Sequence, residues 1–277
     1  MMWPGVRSGN RFRFGAAILG IAALPSLLAA AVNTYPSYTA QSIVSTATQT
    51  AQALAPNSIA TIYGANLSDS TSAASAPPGS TLPITLAGVS VYVNSLFAHL
   101  FYVSPTQINF LIPYELIPGT VTIQVARDGL AGPPVEILLN STAPGLFPWN
   151  GNTAIATHLS GALLTSAAPA GPGEIVILYA AGLGRVNPDT TSGRLAISAA
   201  TILALPQLQI LLAGLAVPAQ NILYAGLAPG YAGLYQINLR LPDTLTANPE
   251  IRILAAGQIS PPSILLPANA SAPSLSK

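Results

Sequence analysis

Cysteine is absent from the 277 residues of the chain. This absence excludes thiol catalysis, thiolate metal ligands and disulfide bonds. The fold therefore has to be stabilised by its hydrophobic core alone, and a chain of this length is long enough to bury one.

Charged residues are scarce, at 6% against roughly 25% in an average soluble domain. The only lysine is Lys277, so the clustered Lys and Arg that nucleic-acid binding requires are missing and we expect no nucleic-acid partner. Hydrophobic residues make up 51% of the chain, which argues against intrinsic disorder. The 26 prolines occur throughout the sequence, which excludes a coiled coil or a helical repeat.

Sequence signatures of catalysis are also missing. There is no Gly-x-Ser-x-Gly elbow, no P-loop and no His-Glu-x-x-His motif. The two histidines, His99 and His158, cannot supply the three or four ligands of a zinc site, and the loops with Asp69 and Asp189 offer one carboxylate each where calcium takes several oxygens. We therefore expect no enzyme activity, no metal and no cofactor. A hydrolase with an unrecognised site among the eight acidic residues is the remaining alternative.

Residues 1–31 have the pattern of a secretory signal peptide. Three arginines come first, an apolar run follows at 14–24, and Ala29-Ala30-Ala31 provides small residues for cleavage. Retention as an N-terminal anchor is the alternative, because 14–32 is close to the roughly 20 residues that span a bilayer. No later run predicts a membrane span. We expect a secreted protein, extracellular or at the cell surface, with the periplasm as an alternative location.

Two pieces of sequence occur twice in the same order. The string 55–67 is echoed by 171–183, with a Pro, an Ile, a Tyr and the closing Leu shared. The motif Gln-Ile-Asn-x-x-(Ile/Leu)-Pro also occurs twice, at Gln107, Asn109 and Pro113 and again at Gln236, Asn238 and Pro242. This repetition predicts an internal duplication. We interpret the motif as structural, with its amides bonding neighbouring backbone where a strand ends; a ligand site is the alternative.

Short alternating strands separate these landmarks. Apolar and polar residues alternate over 89–93, 120–125 and 250–254, so each strand buries one face. Pro and Gly turns at intervals of 8–12 residues or so, in copies of roughly 100 residues, are typical of immunoglobulin-like sandwiches. The sequence therefore predicts an all-β chain with two tandem immunoglobulin-like β-sandwiches after the signal peptide. The predicted boundaries are 37–142 for the first domain, 143–267 for the second and 268–277 for a flexible tail.

The repeated strings resemble a known protein family. The matching residues are 55–67, 86–91, 102–109 and 112–113 in the first copy, and 143–147, 172–174, 179–184, 224–226 and 233–238 in the second. They are similar to the C-terminal domain family of uncharacterised secreted proteins described from Solibacter and other acidobacteria. More loosely, the repeated unit is similar to IPT/TIG modules, which are immunoglobulin-like domains of surface proteins. The resemblance implies secretion and an immunoglobulin-like fold, and it implies no established activity.

Exposed aromatic side chains are the residues that would stack on sugar rings. Tyr92 points away from the buried face of its strand, because Val91 and Val93 occupy that face. Trp149 lies in a turn at the junction of the two copies, a position that favours a wedge between the domains over a sugar platform. These two residues are the candidate ligand contacts.

The function predicted from the sequence is contact without catalysis. We expect a secreted, non-enzymatic immunoglobulin-like protein that mediates protein–protein contact or assembly at a surface, with a protein or cell-surface partner or a second copy of itself. An extracellular glycan-binding module is the alternative from a different class.

Overall fold

The computed structural model describes residues 34–271, and over this range the chain is all-β, which confirms the predicted fold class. All pairs of strands are antiparallel, and the only helical elements described are 3-10 turns at Ala40–Ser42, Leu205–Gln207 and Ala219–Asn221. No helix among residues 34–271 is long and apolar enough to cross a membrane. The predicted signal peptide lies outside the described residues.

Strands of the first half form two sheets, ordered β1-β2-β7-β6-β3 and β10-β8-β4-β5, with β9 added to β8. Their bounds are β1 Ile43–Ser45, β2 Ile59–Tyr63, β3 Ser72–Ala73, β4 Val89–Val93, β5 Leu96–Phe97, β6 His99–Val103, β7 Gln107–Leu111, β8 Gly119–Arg127, β9 Leu130–Ala131 and β10 Val135–Leu139.

Strands of the second half repeat this plan, in sheets ordered β11-β15-β21-β20-β17-β16 and β19-β18-β22-β23, with β14 added to β15 and a separate hairpin β12-β13. Their bounds are β11 Gly145–Leu146, β12 Pro148–Trp149, β13 Thr153–Ala154, β14 Ala156–His158, β15 Ile175–Ala181, β16 Val186–Asn187, β17 Thr201–Ile202, β18 Leu208–Leu212, β19 Leu215–Ala216, β20 Ile222–Leu227, β21 Tyr235–Arg240, β22 Ile251–Ala255 and β23 Gln258–Ile259.

The repeated sequence strings lie on equivalent strands. The first string covers β2 and β15, the second covers β7 and β21, and β2 pairs with β7 as β15 pairs with β21. The registers are the same in the two halves: Tyr63 faces Gln107 as Tyr179 faces Gln236. The duplication read from the sequence is thus a duplication of strand pairing, residue for residue.

Each half buries a core between its two sheets. In the first half Val89, Val91 and Val93 of β4 are fully buried together with Ile108 and Phe110 of β7, which belongs to the other sheet. The second half has the same arrangement, with Ile210 of β18 and Ile253 of β22 packed in one cluster with Ile237 of β21. Alternation along each strand therefore places every second side chain inside a two-sheet core.

Buried polar groups join the two halves. The Tyr235 hydroxyl, fully buried in the second core, donates to the Gly184 carbonyl and accepts a hydrogen bond from Asn57 Nδ2 of the first half at 3.0 Å. Tyr114, from the range predicted for the first domain, packs in the second core and donates to Asp189 Oδ1 at 2.5 Å. Residues 34–271 therefore belong to one compact unit, and the division into two domains stays a prediction.

The segment after residue 267 is held in place. Ala268 is buried, Asn269 donates its backbone N–H to the Ala170 carbonyl at 2.8 Å, and the Ser271 N–H donates to the Leu245 carbonyl at 2.9 Å. The predicted flexible tail 268–277 is therefore wrong for its first four residues, because backbone hydrogen bonds fix them against the second half.

Candidate functional site

The repeated Gln-x-Asn motif makes the same side-chain contact in both halves. Gln107 Nε2 donates to Asn109 Oδ1 at 2.9 Å, and Gln236 Nε2 donates to Asn238 Oδ1 at 2.9 Å. The amides bond each other rather than the neighbouring backbone that the sequence suggested. The physical reason is strand geometry, since residues two apart lie on the same face of a strand.

The prolines of the motif lie just beyond the strands. Pro113 and Pro242 follow the ends of β7 and β21, where a residue without a backbone N–H interrupts no strand pairing. Pro113 is buried, whereas Pro242 is half-buried and lines an apolar groove described below. The structural interpretation of the motif stays a prediction.

Tyr92 is engaged on the outer face of its sheet. It lies between buried Val91 and Val93 and faces Phe97 across the β4–β5 hairpin, with the ring centroids 4.6 Å apart and the planes tilted by 40°. Such a tilted aromatic pair is a favourable geometry. Tyr92 is therefore partly covered by Phe97, and it lies apart from Trp149.

Trp149 is half-exposed, with an exposed fraction of 53%. It ends β12 of a short hairpin, opposite Thr153 of β13. The turn that follows contains Asn150 and Gly151 with φ of 46° and 96°, a left-handed backbone that Asn and Gly tolerate better than other residues. The interpretation of Trp149 as an interdomain wedge stays a prediction, and about half of its surface faces solvent.

The hairpin is clamped by the chain segment 263–265. The Leu265 N–H donates to the Asn152 carbonyl at 2.8 Å, and the Ala154 N–H donates to the Leu265 carbonyl at 2.8 Å. Asn152 Nδ2 also donates to the Ser263 carbonyl at 2.9 Å. These bonds fix the backbone at Asn152 and Ala154, on the β13 side of the turn, and β13 in turn pairs with β12, which carries Trp149.

Trp149 borders a cleft of about 300 Å³, which we name the Trp149 cleft. Its floor is apolar, and its rim carries amide and hydroxyl groups; the lining residues are Trp149, Asn150, Thr153, Leu164, Thr165, Ser166, Asn248, Leu265 and Pro267. None of these side chains is charged. Because the cleft has no carboxylate and no imidazole, it offers no general acid or base for hydrolysis.

Among residues 34–271, the charged side chains lie outside the Trp149 cleft, and several of them form ion pairs. Asp69 pairs with Arg127 at 3.1 Å, and Asp189 pairs with Arg185 at 3.3 Å, so each of the two loop aspartates holds an arginine. Within the described residues no group of three His, Asp or Glu side chains is arranged to hold a metal ion.

An apolar groove of about 310 Å³ lies beside the β18–β19 hairpin, and we name it the Leu215 groove. Leu215 is exposed over 76% of its surface. The lining residues are Leu212, Ala213, Leu215, Ala216, Val217, Pro218, Pro242, Thr244, Leu245, Thr246 and Pro249, none of them charged.

Comparison with known proteins gives no family and only distant structural likenesses. No family model matches the chain. No curated protein matches it either. A surface glycan-binding protein from Prevotella bryantii is similar over 83% of this chain and 41% of its own, with 12% identity and a TM-score of 0.27.

Two further solved structures are similar to the same degree. A Bacteroides ovatus protein of a mixed-linkage glucan utilization locus, in complex with a mixed-linkage heptasaccharide, matches 79% of this chain and 44% of its own, with 12% identity and a TM-score of 0.31. The gamma-CGTase of alkalophilic Bacillus clarkii matches 86% of this chain and 26% of its own, with 10% identity and a TM-score of 0.27. The chain thus spans less than half the length of these proteins, and likenesses this distant carry no argument about function.

Sequence reasoning identified Trp149 and missed its neighbours in the cleft. Thr165 and Asn248 come from segments far apart in the sequence and meet only through the closure of the second half. The Asn150-Gly151 pair was visible as a turn signal, but a turn signal does not say what the turn carries.

Proposed function

We propose that the chain is a secreted, non-enzymatic binding protein that takes its ligand in the Trp149 cleft. The observation that supports this proposal is the half-exposed Trp149 side chain, held on a clamped hairpin beside a concave surface without charge. Concave sites with a large aromatic group and a few polar groups are the usual form of ligand pockets. A large aromatic side chain left exposed costs hydrophobic stabilisation, and a ligand that covers it recovers this free energy.

Binding at this cleft is measurable by the fluorescence of Trp149. The chain has two tryptophans, Trp3 and Trp149, so a Trp3→Phe variant of the full chain leaves Trp149 as the only one. We expect its emission to change when the protein is titrated with cello-, malto- and xylo-oligosaccharides, polygalacturonate and a proline-rich peptide, with a response to at least one of them. A folded protein whose emission responds to none of these probes would contradict the proposal.

A second candidate function, contact with another copy of the chain, is favoured by the Leu215 groove. Leu215 is the most exposed of the large apolar side chains described, and β19 is an edge strand of its sheet within the described residues. Exposed apolar patches on a protein surface are typical of contact sites with other chains. The groove has no charged residue, so two copies would meet there without like-charge repulsion.

Self-association through this groove predicts concentration-dependent oligomers in light scattering. A charge placed in an apolar interface is costly, so Leu215→Asp is expected to shift the protein to monomer. Leu159→Asp is the control, because Leu159 is exposed over 65% of its surface and lies outside the groove. A wild-type protein that stays monomeric at high concentration would rule out this second function.

A further inference from the structure

We propose that the ligand of the Trp149 cleft is an uncharged saccharide, an inference that rests on the function proposed above. The first argument is the exposed indole ring of Trp149. A sugar ring has an apolar face of C–H groups that packs on an indole ring, and the exposed surface of Trp149 provides such a ring at the border of the cleft. The clamp by 263–265 fixes β13, the strand paired with the one that carries Trp149, and this limits the conformational entropy that is lost on stacking.

The second argument is the supply of polar groups. Asn150, Thr153 and Ser166 line the cleft with an amide and two hydroxyl groups, and Thr165 Oγ1 accepts a hydrogen bond from the Ala168 N–H at 3.1 Å. Asn248 Oδ1 accepts a bond from the Ala268 N–H at 3.3 Å, which leaves the Nδ2 donor of Asn248 for a ligand. Amides and hydroxyls donate and accept at once, as the hydroxyl groups of a sugar do.

The third argument is the absence of charge. No lining residue of the Trp149 cleft can pair with a carboxylate, sulfate or ammonium group of a ligand. Moving an ion out of water without a partner is unfavourable, so acidic and amino sugars with free charges are disfavoured. The cleft therefore selects neutral over charged glycans.

A proline-rich peptide is the competing ligand, because such peptides also dock on tryptophan. They bind grooves lined by several aromatic residues, and their polyproline helix offers free carbonyl acceptors but few hydrogen-bond donors. Trp149 is the only aromatic residue lining this cleft, and most of the rim is amide and hydroxyl. The balance of groups therefore favours a saccharide.

The experiment compares neutral and charged probes on the full chain. Titration of the Trp3→Phe protein with cello-, malto- and xylo-oligosaccharides is expected to give a saturable change of emission with at least one of them and none with polygalacturonate or the peptide. In calorimetry, Trp149→Ala is expected to weaken binding of the responding oligosaccharide by at least about tenfold. Thr153→Val, which removes one hydroxyl and keeps the shape, is expected to weaken it by about threefold to tenfold.

Matched controls are Tyr231→Ala and Thr120→Val. Tyr231 is exposed over 57% of its surface and Thr120 is exposed on β8, and neither lines the cleft, so both variants should bind as the wild type does. A response to polygalacturonate alone, or to the peptide alone, would overturn the proposal that the ligand is an uncharged saccharide. It would leave the proposed binding function standing. Saccharide binding that is unchanged in Trp149→Ala would contradict the Trp149 cleft as the binding site. If the protein responds to none of the probes, the proposed binding function is contradicted as well.

Discussion

The Gly182→Ala variant is expected to lose more than about 4 kcal/mol of unfolding free energy. Gly182 has φ of 75°, a backbone that costs an alanine about 1–2 kcal/mol. Its Cβ would also stand 1.9 Å from the Ala143 carbonyl oxygen, and this contact is backbone to backbone. The Ala143 N–H donates to the Gly182 carbonyl at 2.7 Å, so the two segments cannot separate without breaking that bond.

Gly214→Ala is the matched control for this prediction. Gly214 has nearly the same φ, 82°, but its Cβ would meet nothing within 4 Å. Gly214→Ala should lower the free energy of unfolding only by the cost of the left-handed backbone for an alanine, about 1–2 kcal/mol. Chemical denaturation of the two variants measures the difference, and equal losses would contradict the steric argument.

Replacing Tyr235 is expected to give the second large effect. Tyr235 is among the largest fully buried side chains described, so Tyr235→Ala creates a cavity and should cost about 3–5 kcal/mol. Tyr235→Phe keeps the ring and removes only the hydroxyl, so it measures the contribution of the hydroxyl alone. It leaves the buried Asn57 amide and the Gly184 carbonyl without this partner, at a cost of about 1–3 kcal/mol. A Tyr235→Phe variant as stable as the wild type would show that the hydroxyl does not join the halves.

The pH dependence of the free energy of unfolding, measured for the wild type and for Tyr235→Phe, provides an independent test. Burial raises the pKa of Tyr235 well above its ordinary value, and the bond from Asn57 opposes this only in part. The raised pKa belongs to the folded state, whereas Tyr235 in the unfolded chain has the ordinary value. The contribution of Tyr235 to the free energy of unfolding is therefore fully present below a pH of about 10 and is lost as the pH rises above it. The advantage of the wild type over Tyr235→Phe should therefore shrink by up to about 1.4 kcal/mol per pH unit in that range.

The sequence predicted the fold well because strand patterns and repetition are local signals. Alternation at Val89, Val91 and Val93 identified a strand with one buried face, and the structure buries those three residues. The duplicated Tyr and Gln of the two strings even face each other in the same register. Period-two patterns fix which face is buried, and the buried face then fixes the register.

What the sequence could not predict depends on contacts between distant segments. Tyr114 lies in the loop after β7, yet it is buried in the second core and bonded to Asp189. The loop that carries it gives no alternating pattern from which burial could be inferred. Asn57 likewise has the appearance of a turn residue, with φ of 61°, and its partner Tyr235 lies in the other half of the chain.

For the same reason only one residue of the candidate site was found. Trp149 was identified because tryptophan is rare in this chain and stands in a turn. Asn248, whose backbone has φ of 45° and whose carbonyl side-chain oxygen is bound by the Ala268 N–H, is indistinguishable in sequence from an ordinary loop asparagine. Its place at the cleft follows from the path of the chain between β21 and β22.

The clamp on the Trp149 hairpin has a consequence for the order of assembly. Leu265 and Pro267 line the cleft, and Leu265 also bonds to Asn152 and Ala154 of the hairpin, which lies more than a hundred positions earlier in the chain. During synthesis the earlier segments emerge first. A growing chain can therefore build the core of its first half while the cleft is still incomplete. The cleft is complete only when the stretch around residue 265 has docked, so we expect an unfinished chain not to bind the ligand proposed for it.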